Sequence, residues 1–378
     1  MKTCFLTVVA AFMILSVSAA ETLESRIAEI VGNTDMGVAV INGWGDTISV
    51  NGDKRYELQS VMKFHQALAM AKTMSATELL NTKVSYGAED LKPDTWSPLR
   101  AVNSNGGTAE LSTLLYYSLR MSDNNAADIL FDRFLSPRQV DSLLKKETPA
   151  KDFGIAWGEA EMHADHARSA ANWSTPLDCA GLFNYAFAQD TTSSLAALQA
   201  VMASRSAFGN SRIVKGLGKG ATAFNKTGTG FSKGELVSTV NDAAFVYFPY
   251  ASGGFGHYSI AVFSADCRPD EAEAKIAEIS ELVWSYHIMK ANDLAANSLS
   301  VGSAARRRKA DSVQESDGSL GQILGAAVLG AFVVDEIVQR VNDYNSSHSD
   351  NDRSGYKEKS SKKSGEGSRS TSQRRRPR

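Results

Sequence analysis

Strand-like runs stand at both ends of this chain's central body, and helix-like sequence fills the middle. That order leaves few architectures open. Residues 36–41 and 47–50 read as strands, joined through the turn pairs Asn42-Gly43 and Gly45-Asp46. Strand-like sequence returns at 220–227, 236–247 and 257–263. From about 61 to 204 the composition is helical with polar connections, and helix-spaced apolar residues mark 61–74, 111–119 and 126–134. An amphipathic helix is expected at 24–31, with Ile27, Ile30 and Val31 on one side, and a long one at about 270–289. Segments from both ends can share one sheet only if the middle is an insertion. The expected fold is therefore α+β: an antiparallel sheet flanked by helices, built from 21–59 and 205–293, plus an all-helical part at 60–204.

The two ends of the chain are different material. Lys2, an apolar run at 4–17 and the small residues Ser18-Ala19-Ala20 form a signal peptide pattern, with cleavage expected after Ala20 and export to the periplasm or medium. The run is too short to span a bilayer comfortably. From residue 297 onward there are 15 Lys/Arg and 10 Asp/Glu, about +5, so the rest carries about −7 of the net −2. An acidic body does not suit nucleic acid as partner. The stretch 294–378 holds the basic knot Arg306-Arg307-Arg308-Lys309 and an apolar run at 323–334, and ends in Ser, Lys, Arg, Asp and Gly. Most of it is expected to be disordered, because so few apolar residues do not repay the entropy of ordering. Its basic clusters suit a weak association with anionic envelope surfaces.

Cys179 and Cys267 remain in the mature chain. Export permits a disulfide, but nothing in the sequence brings the two together. Six His and three Cys show no spaced metal cluster, and no metal or cofactor is expected. Oligomerisation has no sequence signal, and a monomer is expected.

Three short motifs carry chemistry. In Ser60-Val61-Met62-Lys63 the serine stands at a helix entrance. A serine hydroxyl is a poor nucleophile without a base. Positions i and i+3 share a helix face, so Lys63 can reach Ser60, and a desolvated lysine can serve as a base. The pattern alone is weak, because Ser142/Lys145, Ser354/Lys357 and Ser360/Lys363 repeat it. Ser122-Asp123-Asn124 lies in the polar break between two helices. Such residues favour helix N-caps, but a serine there can also relay a proton and an asparagine can hold an amide. Ser349-Asp350-Asn351 has the same letters in the tail. Lys226-Thr227-Gly228-Thr229-Gly230 closes a strand candidate, where Lys226, Thr227 and Thr229 suit a carboxylate and Gly228 lets substrate approach.

The conjunction of the three, in this order, resembles the serine penicillin-recognising enzymes. Further stretches resemble class A β-lactamases, above all their cephalosporinase and extended-spectrum branch. These are the run from Gln59 to His65, Asp94-Thr95-Trp96-Ser97-Pro98-Leu99, the run from Ser122 to Phe131, Asn172-Trp173-Ser174-Thr175-Pro176 and Asn241-Asp242-Ala243. The likeness covers about residues 24 to 290.

The resemblance implies a β-lactam substrate, Ser60 as nucleophile and Lys63 and Ser122 in proton transfer. It implies Asn124, Lys226, Thr227, Gly228 and Thr229 in substrate binding. It also implies a loop glutamate that activates the deacylating water. Ahead of Met162, Glu159 matches that glutamate, with Glu161 as the rival. The loop departs from the commonest class A pattern at two places: His163 stands where an asparagine would help hold the water, and Trp157 where an arginine would tie the loop by an ion pair. The loop must then be held differently. Two other functions share the motifs: a penicillin-binding DD-peptidase of the cell wall, which lacks the deacylating glutamate, and a non-catalytic scaffold.

Overall fold

The computed structural model describes residues 22–306 apart from 189–191, 204, 205, 208 and 251–253. The expected signal peptide at 1–20 and the expected tail beyond residue 306 lie outside the described residues. The sheet is antiparallel throughout, with the spatial order Thr47–Val50, Met36–Asn42, Phe255–Ser264, Val240–Pro249, Thr222–Thr229. Strands from the two ends of the body meet where Met36 pairs with Ser264 and Asn42 with Tyr258. The helix-rich middle is an insertion between two parts of one sheet, as the order of elements predicts.

The pleat divides the sheet into two apolar faces. Val38, Val40, Ala244, Val246, Ile260 and Val262 face one cluster, with Leu23, Ile27 and Val31 of the helix Leu23–Val31. The terminal helix packs on the same face with Ala272, Ile276, Ile279 and Val283, spaced at helical period. Ala39, Ala243, Phe245, Ala261 and Phe263 face the other cluster, which continues into the helical part. The terminal helix runs Pro269–Arg306, well past the expected end near 289 and past the expected tail boundary at 293.

In the helical part, Met62–Thr73 is buried over nearly its whole length. Phe64 stacks on Phe183 of the helix Pro176–Phe187, with ring centroids 3.7 Å apart. Three small sheets went unread in the sequence: Lys83–Gly87 with Gly106–Glu110, Ser232–Lys233 with Leu236–Val237, and a three-stranded one joining Tyr56–Glu57, Trp173–Ser174 and Phe153–Gly154, so the part at 60–204 is helix-rich and not, as expected, all-helical. The two-residue strands carry no period to detect, and Gly106–Glu110 holds two glycines and a single apolar residue. Cys179 and Cys267 are both buried free thiols.

His65 sits on the helix Met62–Thr73, fully buried against Phe153. Burial pushes its imidazole down to about 4, only partly offset by the Val61 carbonyl and Asp141. A depressed histidine stabilises the fold above the ordinary pKa and ceases to do so as pH falls through about 6.5 toward 4. His65→Leu is therefore expected to shrink the stability difference between pH 7.5 and pH 5 by about 2 kcal/mol. Urea unfolding at the two pH values checks this, and an unchanged difference would show that His65 does not set it.

Candidate active site

The helix Met62–Thr73 follows a single 3-10 turn, Gln59–Val61, that carries Ser60. Lys63 is wholly buried, one turn along, as the i, i+3 spacing predicts. Its ammonium donates to Ser60 Oγ at 3.0 Å, to the Ser122 carbonyl at 2.8 Å and to Asn124 Oδ1 at 2.6 Å. It also pairs with Glu159 Oε1 at 2.9 Å. Glu159 Oε1 in turn stands 3.5 Å from Ser60 Oγ. One buried cation thus joins the first two motifs to the loop glutamate. A buried charge is tolerated only when paired and hydrogen-bonded, and Lys63 has four partners.

The second motif divides its labour. Asp123 is the helix N-cap, accepting from the Ala126 amide at 2.8 Å at the start of Asn124–Arg133. It also receives the Leu99 amide and the Ser97 hydroxyl. Capping and chemistry therefore fall to different residues, since the flanking Ser122 and Asn124 turn toward Lys226 and Lys63. Ser122 adopts φ 54, in the left-handed region that non-glycine residues rarely enter. Such strain persists where the surroundings over-determine it.

The third motif lies on the outer strand Thr222–Thr229. Lys226 donates to Ser122 Oγ at 2.9 Å and to the Thr227 carbonyl at 2.8 Å. Burial, and then the charge of Lys63, hold it well below the usual lysine range. Thr227 and Thr229 alternate with Lys226 along the strand, opposite Asp242 and Val240. Gly228 serves the fold directly: a Cβ there would stand 2.5 Å from the Leu58 carbonyl, so the missing side chain lets the strand close on the turn that carries Ser60.

Arg212 was missed in the sequence. It donates to the carbonyls of Gly228 and Asn241 at 2.8 and 2.7 Å and to Thr229 Oγ1 at 2.6 Å, and it pairs with Glu273 at 3.0 Å. The guanidinium braces the strand end from behind. It lies in the four-residue helix Arg212–Lys215, outside every motif, and only tertiary packing reveals it.

No arginine stands at position 157 to tie the loop of Glu159; the arginine ion pair within it, Arg168 with Asp165 at 3.6 Å, is local, three residues apart. Asn172 Oδ1 accepts the amides of Ala156 and Trp157 at 2.7 and 3.0 Å, while Nδ2 donates to the Trp157 carbonyl at 2.7 Å. Nδ2 also meets the sulfurs of Met62 and Met162. Trp157, in the arginine's place, packs against the core and carries Arg168 over its ring at 4.7 Å. Asp128 accepts the amides of Glu159 and Ala160 at 2.7 and 2.8 Å, fixing the start of the helix Glu159–Ala164. Burial, then the nearby charge of Glu159, raises Asp128 to about 7. His163 Nε2 lies 3.1 Å from Thr95 Oγ1 and 3.3 Å from Asn124 Nδ2, so it ties the loop to the second motif. Glu161, the rival base, is exposed, and its carboxylate accepts the Gly158 amide at 3.0 Å as part of a capping box. Its position is structural.

Removing the Asn172 amide leaves three loop backbone groups without their partner. Asn172→Ala is expected to cost about 3 kcal/mol of stability and to slow deacylation about tenfold more than acylation. Denaturant midpoints and pre-steady-state kinetics measure the two; equal slowing of both steps would show that Asn172 does not act through Glu159.

Comparison with known proteins agrees with this geometry. Residues 20–287 match the family model described as the Beta-lactamase enzyme family. A β-lactamase of Phocaeicola vulgatus is 32% identical over 276 residues, covering 70% of this chain and 84% of that one. The β-lactamase VEB-1 of Pseudomonas aeruginosa is 29% identical, covering 68% and 87%. Among solved structures, a class A β-lactamase of Bacteroides cellulosilyticus is 31% identical, with a TM-score of 0.63 over 70% of this chain and 96% of that one. The fold, the Ser60–Lys63–Glu159 cluster and these similarities place the chain in the β-lactamase enzyme family, among the class A serine β-lactamases.

Proposed function

We propose that this enzyme hydrolyses the β-lactam ring of penicillin- and cephalosporin-type antibiotics through a Ser60 acyl-enzyme, and thereby confers resistance. The observation that carries the reading is the shared contact of Lys63 with Ser60 Oγ and Glu159 Oε1. It joins a nucleophile, its base and a carboxylate for water activation in one cluster, with Lys63 and Glu159 buried and Ser60 partly exposed.

Ser60 Oγ attacks the lactam carbonyl as its proton passes to Lys63, after that lysine has handed its own proton to the paired Glu159 carboxylate, or through a water directly to Glu159. The N–H groups of Ser60 and Thr229 hold the oxyanion. The C–N bond breaks and the nitrogen takes a proton from Ser122, which regains one along its Lys226 hydrogen bond, and the proton released by Ser60 restores the balance. Lys226, Thr227 and Thr229 hold the substrate carboxylate, with Gly228 between them, and Asn124 orients the side-chain amide. Glu159, again a carboxylate, then takes a proton from water as that water attacks the ester; the C–O bond breaks, Ser60 Oγ takes the proton back, and the acid leaves. These steps use side chains and water alone, with no cofactor.

A penicillin-binding peptidase would share the first half of this scheme and retain the lactam. Glu159, 3.5 Å from Ser60 Oγ, favours hydrolysis. Mature protein mixed with a chromogenic cephalosporin separates the alternatives. Turnover without a lasting adduct supports the lactamase, a stable Ser60 adduct would establish the peptidase, and neither would leave the scaffold.

The enzyme is also proposed to work as an exported monomer, with 1–20 removed and the basic tail resting weakly on the envelope. The support is sequence alone: the small-residue site at Ala20 and the tail's positive charge. Intact mass of the exported form tests the cleavage and gel filtration tests the monomer. Unchanged low-salt fractionation after deletion of 307–378 would remove the envelope contact.

A further inference from the structure

Gln59, immediately before the nucleophile, is a non-glycine residue with φ 49 and is 4% exposed. The conformation of this residue sets the direction in which the Ser60 N–H points. A left-handed backbone at a bulky residue is strained and persists only under external restraint.

The restraint is on the page. Gln59 Nε2 donates to Glu57 Oε2 at 3.0 Å. The same oxygen accepts from Ser238 Oγ at 3.0 Å, and it shares the Ser169 hydroxyl, 3.3 Å away, with the His166 carbonyl at 2.7 Å. The Glu57 carbonyl accepts Asn241 Nδ2 at 2.6 Å. Ser238 lies just before the strand Val240–Pro249, beside the end of the outer strand, where the Gly230 amide donates to the Thr239 carbonyl at 2.8 Å. Ser169 lies in the turn His166–Ala171, which closes the loop of Glu159. An ionised carboxylate only accepts, so it can gather three donors that a neutral side chain would satisfy less well.

We propose that Glu57 is a positioning residue for the oxyanion site: its carboxylate couples Gln59, the edge beside Thr229 and the catalytic loop, and so holds the Ser60 N–H in line. The inference rests on the function proposed above. It concerns a residue outside all three motifs, which touches neither substrate nor the reacting atoms.

A phenylboronic acid is the probe, since its tetrahedral adduct on Ser60 places an oxygen where the oxyanion forms. In Glu57→Ala, boronate affinity and kcat/KM for a chromogenic cephalosporin are expected to fall together by about tenfold or more. Affinity for the hydrolysed product, which is held by its carboxylate, should change less than about threefold. Glu57→Gln keeps an acceptor and should restore most of the loss. Gln59→Ala cuts the same link from the other side and covers the case in which Glu57→Ala does not fold. Wild-type boronate affinity in either alanine variant, whatever its melting temperature, overturns the proposal. A wild-type enzyme that neither turns over lactams nor binds boronate would instead overturn the functional reading, and this inference with it.

Discussion

Glu159→Gln is expected to acylate and then stall. The amide keeps the shape of the carboxylate and can still meet Lys63, but it takes no proton from water. A positioned general base contributes about 10²- to 10⁴-fold, so kcat should fall by about 10³ while the acylation burst remains. Intact mass would then show the cephalosporin adduct on Ser60 persisting long after mixing. The variant also replaces a buried ion pair, with side chains 0% and 6% exposed, by a lone buried ammonium. Breaking such a pair costs about 3–5 kcal/mol where nothing compensates. Three other acceptors remain around Lys63, so the loss should be smaller, and a melting curve will separate it from the kinetic effect. Turnover at the wild-type rate would remove Glu159 as the base. Loss of the burst along with turnover would give Glu159 a necessary part in acylation too.

Particular residues show how far the sequence reaches. The three motifs converge because each is locally encoded: a helix entrance, a helix N-cap and a strand end. Their spacing on the chain says nothing of distance. It is the insertion of helices between strands of one sheet that brings Lys226 to Ser122. That strands from both ends share one antiparallel sheet was legible from where the strand-like segments and turn pairs fall, while the order of the strands within it came only with the structure. What was not legible lies in single side chains acting across the fold. Arg212 sits in no pattern, and Glu57 in a two-residue strand. Asn172 was visible only as part of a resemblance, and the structure supplies its physical role: it satisfies the loop backbone that an arginine ion pair would otherwise anchor. Gly228 was read for the approach of substrate, yet the nearest demand on it comes from the Leu58 carbonyl. A motif letter can be required by the fold and still lie beside the chemistry.

Lys63→Met is the complementary experiment, and it should fail one step earlier. Methionine fills much of the same buried volume but donates nothing to Ser60 Oγ, and it leaves the Ser122 carbonyl and Asn124 Oδ1 without their cation. Both candidate routes for the Ser60 proton use this lysine: as the base itself, or as the charge that holds Glu159 against the nucleophile. Acylation is therefore expected to fall by about 10³ or more, with no burst and no adduct. The residual activity should carry a second signature. Lys226 is depressed first by burial and then by the positive charge of Lys63. Removing that charge relieves part of the depression, so Lys226 keeps its proton to higher pH. If the Lys226 ammonium binds the substrate carboxylate and supports Ser122, the alkaline limb of kcat/KM moves upward in the variant. A burst of normal size would exclude Lys63 from proton transfer. Slow acylation with an unmoved alkaline limb would keep Lys63 as the base but separate it electrostatically from Lys226, against the contacts that Ser122 makes with both lysines.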